Sequence, residues 1–241
     1  MIAMLHVEIR KLNGSLALLL AVLAPALPGL LAVLSLISTD RAPQWGSIFT
    51  GFVLPIWSFF LLPMVVAAFT ALVGQIEYRA RGWDHLLALP IARWRLFLAK
   101  AIVVLAVSAM MTMLVLLFTW VGVSIGGAIS GQAPLGTLPW AKLGHTVSLL
   151  LAGTTMLIVI QLWVALRFAS FVMPLVVGIG GTLVAMSVAM TRTDQAGWFP
   201  WVLPLKILTA PDPVRHAILG GIGGLILLII MICDLSRHDF R

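Results

Sequence analysis

The sequence predicts an all-α integral membrane protein with six transmembrane helices, and three observations carry that prediction. Across 241 residues, 61% are hydrophobic and only 10% charged, where a soluble domain carries about 25% charged residues. The apolar runs reach the roughly 20 residues that a helix needs to cross a bilayer core. They are also continuous, without the apolar–polar alternation of strands in an outer-membrane barrel. Helices are then the remaining way to satisfy the backbone in lipid. The chain reads as one transmembrane domain over residues 1–241.

Taken in order, the N-terminal segment 1–14 spaces Leu5, Ile9 and Leu12 by four and three residues. This predicts an amphipathic helix lying on the inner membrane surface, with Glu8 and Lys11 off its apolar face. Span one covers Ser15–Ile37. Its "LALLLAVLAPALP" and Ala24-Pro25-Ala26 resemble a signal peptide with a cleavage site. The apolar run nevertheless continues to Ile37, past the ~7–15 residues of a cleavable core. The segment is read as a retained span, kinked by Pro25 and Pro28. The other spans are Gly51–Gly74, Ala101–Ile125, Thr146–Leu166, Phe168–Met190 and a short Ala217–Cys233.

Lys and Arg set the orientation. With six spans, the N-terminus, the segment near 75–100, the turn at Arg167 and the C-terminus share a side. They hold Arg10, Lys11, Arg79, Arg81, Arg93, Arg95, Lys100, Arg167, Arg237 and Arg241. The opposite side holds Arg41, Lys142, Arg192, Lys206 and Arg215. The richer side is cytoplasmic, and both termini with it. The same bias explains a pI near 10.8 without nucleic acid as a partner. Eight of the nine tryptophans fall near predicted span ends, where amphipathic rings settle; Trp57 alone lies inside a span.

Residues 77–100 gather Glu77, Arg79, Arg81, Asp84, Arg93, Arg95 and Lys100 in a chain with 15 Lys and Arg and 8 Asp and Glu. A solvated, positively charged connector is one reading. A plain connector needs only a few residues, however, and this one carries its own pattern. Leu87, Ile91, Trp94 and Leu98 recur at spacings of four, three and four. Gly82 and Pro90 punctuate it, and proline suits a first helical turn, so a helix is predicted to start near Pro90 and run into span three. The segment 75–98 then presents charges below the membrane as a docking surface for a protein that pushes on the spans.

The outer segment 193–216 contains "GWFPWVLPLKILTAPDP", too apolar for an exposed loop and too rich in proline for a span. It is expected to be interfacial or re-entrant. In span six, Gly220 and Gly224 form G-x-x-x-G, which permits close helix packing within the chain or between two copies. Phe59, Phe60 and Met64 in span two and Met173 in span five are candidates to line a path for apolar substrates. No metal site is expected, because the single Cys233 and the five histidines show no ligand spacing. No G-x-x-x-x-G-K-[ST] loop is present, so the chain is not an ATPase. No ionisable residue falls in the middle third of a predicted span, which disfavours a self-contained ion-coupled carrier.

The stretch "EYRARGWDHLLALPIAR", followed by "LFLAK", resembles the cytoplasmic loop of ABC-2 type exporter permeases, and is most similar to small lantibiotic-immunity and peptide-export permeases. In that class a Glu, a Gly, a Leu pair, Pro-x-x-Arg and a Lys occur in this order between spans two and three. Here they are Glu77, Gly82, Leu86, Leu87, Pro90, Arg93 and Lys100. Trp83 and Asp84 depart from the pattern, since many members carry Thr or Lys there. The resemblance extends to "LHVEIRKL", the span count and the outer segment.

It implies an elbow helix at the N-terminus, an outer lid, and a coupling helix in which Glu77, Tyr78, Arg79 and Arg81 contact an ABC ATPase. It further implies two ATPase copies binding ATP and magnesium, a second permease forming a homo- or heterodimer, and a bacterial cytoplasmic (inner) membrane location. No cofactor is expected on this chain. A secondary carrier, or a scaffold recruiting a soluble partner, is the alternative.

Overall fold

The computed structural model describes residues 1–38, 42–79, 92–191 and 196–238. Helix α1 (Ile2–Leu12) turns through Gly14, whose φ of +72° only glycine adopts without strain. Ser15 then caps α2 (Leu16–Leu23), its hydroxyl accepting from the Leu18 amide at 3.3 Å. The first span breaks between α2 and α3 (Ala26–Ile37). Pro25 has no N–H to offer the ladder there, and the Leu27 amide bonds instead to Ala24 O at 3.2 Å. The expected kink therefore lies at Pro25, with Pro28 already inside α3.

The second span starts earlier than its hydropathy suggests. Ser47–Val53 and Ile56–Leu61 are wound as π-helix before α4 (Leu62–Arg79) begins. Pro55 and Pro63 each withhold a donor. Ahead of each of them the ladder runs in the five-residue step seen in Leu54 N–H to Phe49 O and Leu62 N–H to Trp57 O. The third span, α5, runs from Arg93 to Ser130, so its helix starts close to the predicted Pro90. Its 38 residues make a rod of roughly 57 Å, well beyond a bilayer core. Gly131, with a φ of +70°, ends it as a left-handed cap.

The remaining helices are α6 (Trp140–Arg167), α7 (Val172–Thr191), the short α8 (Leu203–Thr209) and α9 (Pro213–Arg237). Span six is thus longer than Ala217–Cys233 at both ends, because Asp212 caps it and Pro213 starts it. Six helices or helix series are long and apolar enough to cross a membrane: Leu16–Ile37, Ser47–Tyr78, Arg93–Ser130, Trp140–Arg167, Val172–Thr191 and Pro213–Arg237.

Small residues decide how these helices pack. A methyl group on Gly220 would sit 2.6 Å from Gly153 Cα, and one on Gly224 2.8 Å from the Met156 amide. The G-x-x-x-G of α9 is therefore used against α6 of the same chain. Gly29 brings α3 onto the backbone of α5 at Thr119, and Gly74 brings α4 onto Ala165 of α6. The core between them holds Trp57, Phe69, Phe97, Met111 and Leu162, all buried. Trp57 also donates to Thr112 Oγ1 of α5 at 3.2 Å, which satisfies its indole inside the bundle.

The apolar outer segment folds back on the protein. Trp201, Leu203 and Ile207 are buried, and α8 packs against α6 and α9. Gly181 of α7 makes room for the Trp201 indole, which a methyl group there would overlap. At the same end, Leu135 exchanges backbone hydrogen bonds with Pro43 and Trp45 at 2.9 and 3.2 Å, joining the connections on either side of spans two and three.

Candidate functional site

The described ion pairs of the protein all lie at one end of the bundle, where α1, the end of α4, the start of α5 and the ends of α6 and α9 meet. Four residues form the larger group. Lys100, seven residues into α5, donates to Glu8 Oε2 of α1 at 2.6 Å and to Glu77 Oε1 of α4 at 2.7 Å. Lys11 donates to Glu8 Oε1 at 2.6 Å and to Glu77 Oε1 at 3.1 Å. Lys100 and Glu77 are 1% and 2% exposed.

Two acids and two bases make the group neutral as a set, which allows its burial. An isolated charge at such a place would cost several kcal/mol. Burial alone would raise the Glu8 pKa, but the ammonium groups of Lys100 and Lys11 and their hydrogen bonds outweigh it and hold Glu8 below its ordinary 4.5. Among the described residues, Glu77 Oε2 is buried without a hydrogen-bond partner.

A second polar group closes the other side of the same end. Asp234 of α9 accepts from the Trp163 indole at 2.9 Å and lies 3.4 Å from Arg167 Nε of α6. Arg167 also reaches the His238 ring at 2.9 Å. Two bonds join the groups: Tyr78 Oη donates to Leu166 O at 2.7 Å, and Arg93 Nη1 to Ser236 O at 3.4 Å.

The predicted coupling residues divide accordingly. Glu77 bonds through Oε1 and Tyr78 through its hydroxyl inside the bundle end, while Arg93 is exposed and reaches Ser236 O from the surface. Arg79 closes α4, and Arg81, Gly82, Trp83, Asp84, Leu86, Leu87 and Pro90 lie outside the described residues. The two ends of that segment are nevertheless fixed, because Glu77 and Lys100 bracket it and bond to each other.

Sequence reasoning missed Glu8 and Lys11 as partners, and with them the orientation of α1. The helix turns Glu8 and Leu12 inward and leaves Ile2 and Ile9 exposed at 85% and 54%. The available signal was a pair of opposite charges one turn apart, ahead of a span, in a chain with only 8 acids.

The four path candidates do not converge. Phe59 packs against the core, Met64 is half-buried, and Phe60 and Met173 are exposed. Ala67 of α4 faces Gly178 of α7, and the two helices run in opposite directions. That register sets Met64 and Met173 roughly 12 Å apart along the axis, at 1.5 Å per residue. Among the described residues, no group of three or more His, Cys, Asp and Glu is placed to hold a metal ion.

Residues 4–199 match the model of a family described as ABC-2 family transporter protein. No curated protein and no solved structure matches the chain.

Proposed function

The chain belongs to the ABC-2 family of transporter proteins, and we propose that it is the permease subunit of an ATP-driven exporter in a bacterial cytoplasmic membrane. In this reading both termini are cytoplasmic and the ion-paired end of the bundle faces the cytoplasm. Two copies of an ABC ATPase, carrying ATP and magnesium, dock there. A second permease, identical or related, completes the path, and the cargo is an apolar or amphipathic molecule such as a peptide, as in lantibiotic-immunity systems.

The observation that carries the reading is the Lys100 bridge between Glu8 and Glu77. The segment expected to receive the ATPase is tied at its two roots, and both roots are tied to α1. A push on residues 79–93 then moves α1, α4 and α5 as one body instead of bending a loose connector. Glu77 thus acts by positioning the coupling segment, and the surface offered to the ATPase is Arg79, Arg81, Trp83 and Asp84. Force leaving this end can pass to α6 and α9 through Tyr78 and Arg93.

The test is copurification and ATP turnover with a co-expressed ABC ATPase subunit. Arg79→Ala with Arg81→Ala should weaken association by about tenfold or more, the scale of one or two lost charge-assisted contacts, while the permease stays folded. Unchanged association and turnover would reject the docking role and favour a carrier or scaffold.

A further inference from the structure

At the end of the bundle opposite the ion pairs, a cavity of 410 Å³ opens between the outer segment and the start of α9. That volume suits a small-molecule group. Lys206 of α8 and Arg215 and His216 of α9 line it, with Trp198 at its edge, 64% exposed. Asp212 is the acid of the lining, and its Oδ1 already accepts the Arg215 amide as the helix cap at 3.2 Å. His216 Nδ1 donates to Asp212 O at 2.9 Å, which fixes the ring against the wall.

Arg215 and Leu219 of this lining begin a row that continues through Ile222, Ile226 and Ile229 at spacings of three, four and three. These three isoleucines are exposed at 56%, 54% and 64%. Arg215 therefore heads an apolar track of about three turns on an exposed helix surface, and Lys206 lines the same cavity from α8. All but Gly197 and Trp198 of the lining lie beyond residue 199, where the family match ends.

We propose that this cavity binds the phosphate headgroup of an anionic phospholipid of the outer leaflet, with an acyl chain along Leu219, Ile222, Ile226 and Ile229. The positive charge of Lys206 and Arg215 selects for an anion, the track selects for a tail, and Trp198 lies at headgroup level as such rings do. The leaflet rests on the orientation given under Proposed function; the headgroup chemistry does not.

The test uses the full chain without an ATPase, so a failure to recruit one leaves it readable. The permease is reconstituted in nanodiscs of phosphatidylcholine, alone or with phosphatidylglycerol, and retained lipid is counted by native mass spectrometry. The wild type should retain phosphatidylglycerol preferentially. Lys206→Gln with Arg215→Gln should reduce that retention by about tenfold, with phosphatidylcholine unchanged. Lys206→Arg with Arg215→Lys should keep it, which separates lost charge from lost fold. Equal retention by the Gln variant would overturn the proposal. Displacement by millimolar inorganic phosphate would reduce the cavity to a free-anion site and overturn the lipid assignment.

Discussion

The ammonium of Lys100 lies 2.7 Å from Glu77 Oε1 across 23 residues of sequence, closing the loop between spans two and three with a buried ion pair. A pair of this kind is worth little against a well-packed apolar replacement, yet breaking it from one side strands a charge. Lys100→Met should therefore destabilise the bundle by about 3–5 kcal/mol, since Glu8 and Glu77 would be left with Lys11 alone. Adding Glu8→Gln to Lys100→Met should recover part of that loss. Denaturant unfolding in detergent, followed by tryptophan fluorescence, reads both. Equal stability of Lys100→Met and the wild type would remove the cluster from any structural role.

The docking of α1 should depend on pH with a defined sign. Glu8 has its pKa lowered in the folded protein by Lys100 and Lys11, against an unfolded value near 4.5. A lowered acid contributes stability that is fully present above its unfolded pKa and is lost as pH falls through the folded one. The groups facing Glu8 are Lys11 on its own helix, Lys100 on α5 and the Glu77 carboxylate on α4. Helix α1 should therefore stay docked from neutral pH to about 4.5 and loosen below it. A spin label at the exposed Ile2 would report this as a gain in mobility on acidification. In Glu8→Gln the label should already be mobile at neutral pH, and a label of equal mobility in both would disprove the linkage.

What the sequence made legible was the part of the fold governed by local rules. Six apolar runs became six spans, Pro25 broke the first of them, and a helix began close to Pro90. What stayed hidden depended on partners far away in the chain. Glu8 and Lys100 are 92 residues apart, and nothing in "LHVEIRKL" alone says that its acid faces inward. An amphipathic reading assigned the charged face of α1 to water, but a complementary cation inside the bundle reverses that assignment. The π-winding of span two was hidden for a related reason. Pro55 and Pro63 announce missing donors, while the hydrogen-bond step that compensates is set by the neighbours that pack around Trp57.

Close packing of α6 on α9 gives a prediction with an internal control. Gly220→Ala would place a methyl group 2.6 Å from Gly153 Cα, against backbone that cannot rotate away. Overpacking of this kind costs about 1–3 kcal/mol. Gly180→Ala meets nothing within 4 Å, so it should be neutral or slightly stabilising through its better helix propensity. Thermal unfolding of the two variants side by side checks the assignment. If the order were reversed, the G-x-x-x-G of α9 would not be an intramolecular contact.

The buried amide of Gln161 gives the last prediction. With its amide oriented to satisfy both contacts, the Gln161 nitrogen donates to Pro174 O and its oxygen accepts from the Gly178 amide, each at 3.1 Å. Both atoms belong to the first turns of α7, and Gln161 itself is fully buried in α6. A side chain bonded to an amide and the carbonyl four residues before it sits across one rung of the helix ladder. It thereby fastens the start of α7 to α6 at the point where Pro174 has already removed one donor. Gln161→Leu keeps the volume but loses both bonds, at about 1 kcal/mol each in a membrane interior. The Gly178 rung can then either close on itself or open. If the bridge is a fastening, hydrogen exchange at Gly178 and its neighbours should accelerate several-fold in Gln161→Leu, while exchange in α9 stays unchanged. Uniform acceleration through the bundle would instead mark the variant as globally destabilised, and no change at Gly178 would show that α7 holds its first turns without help.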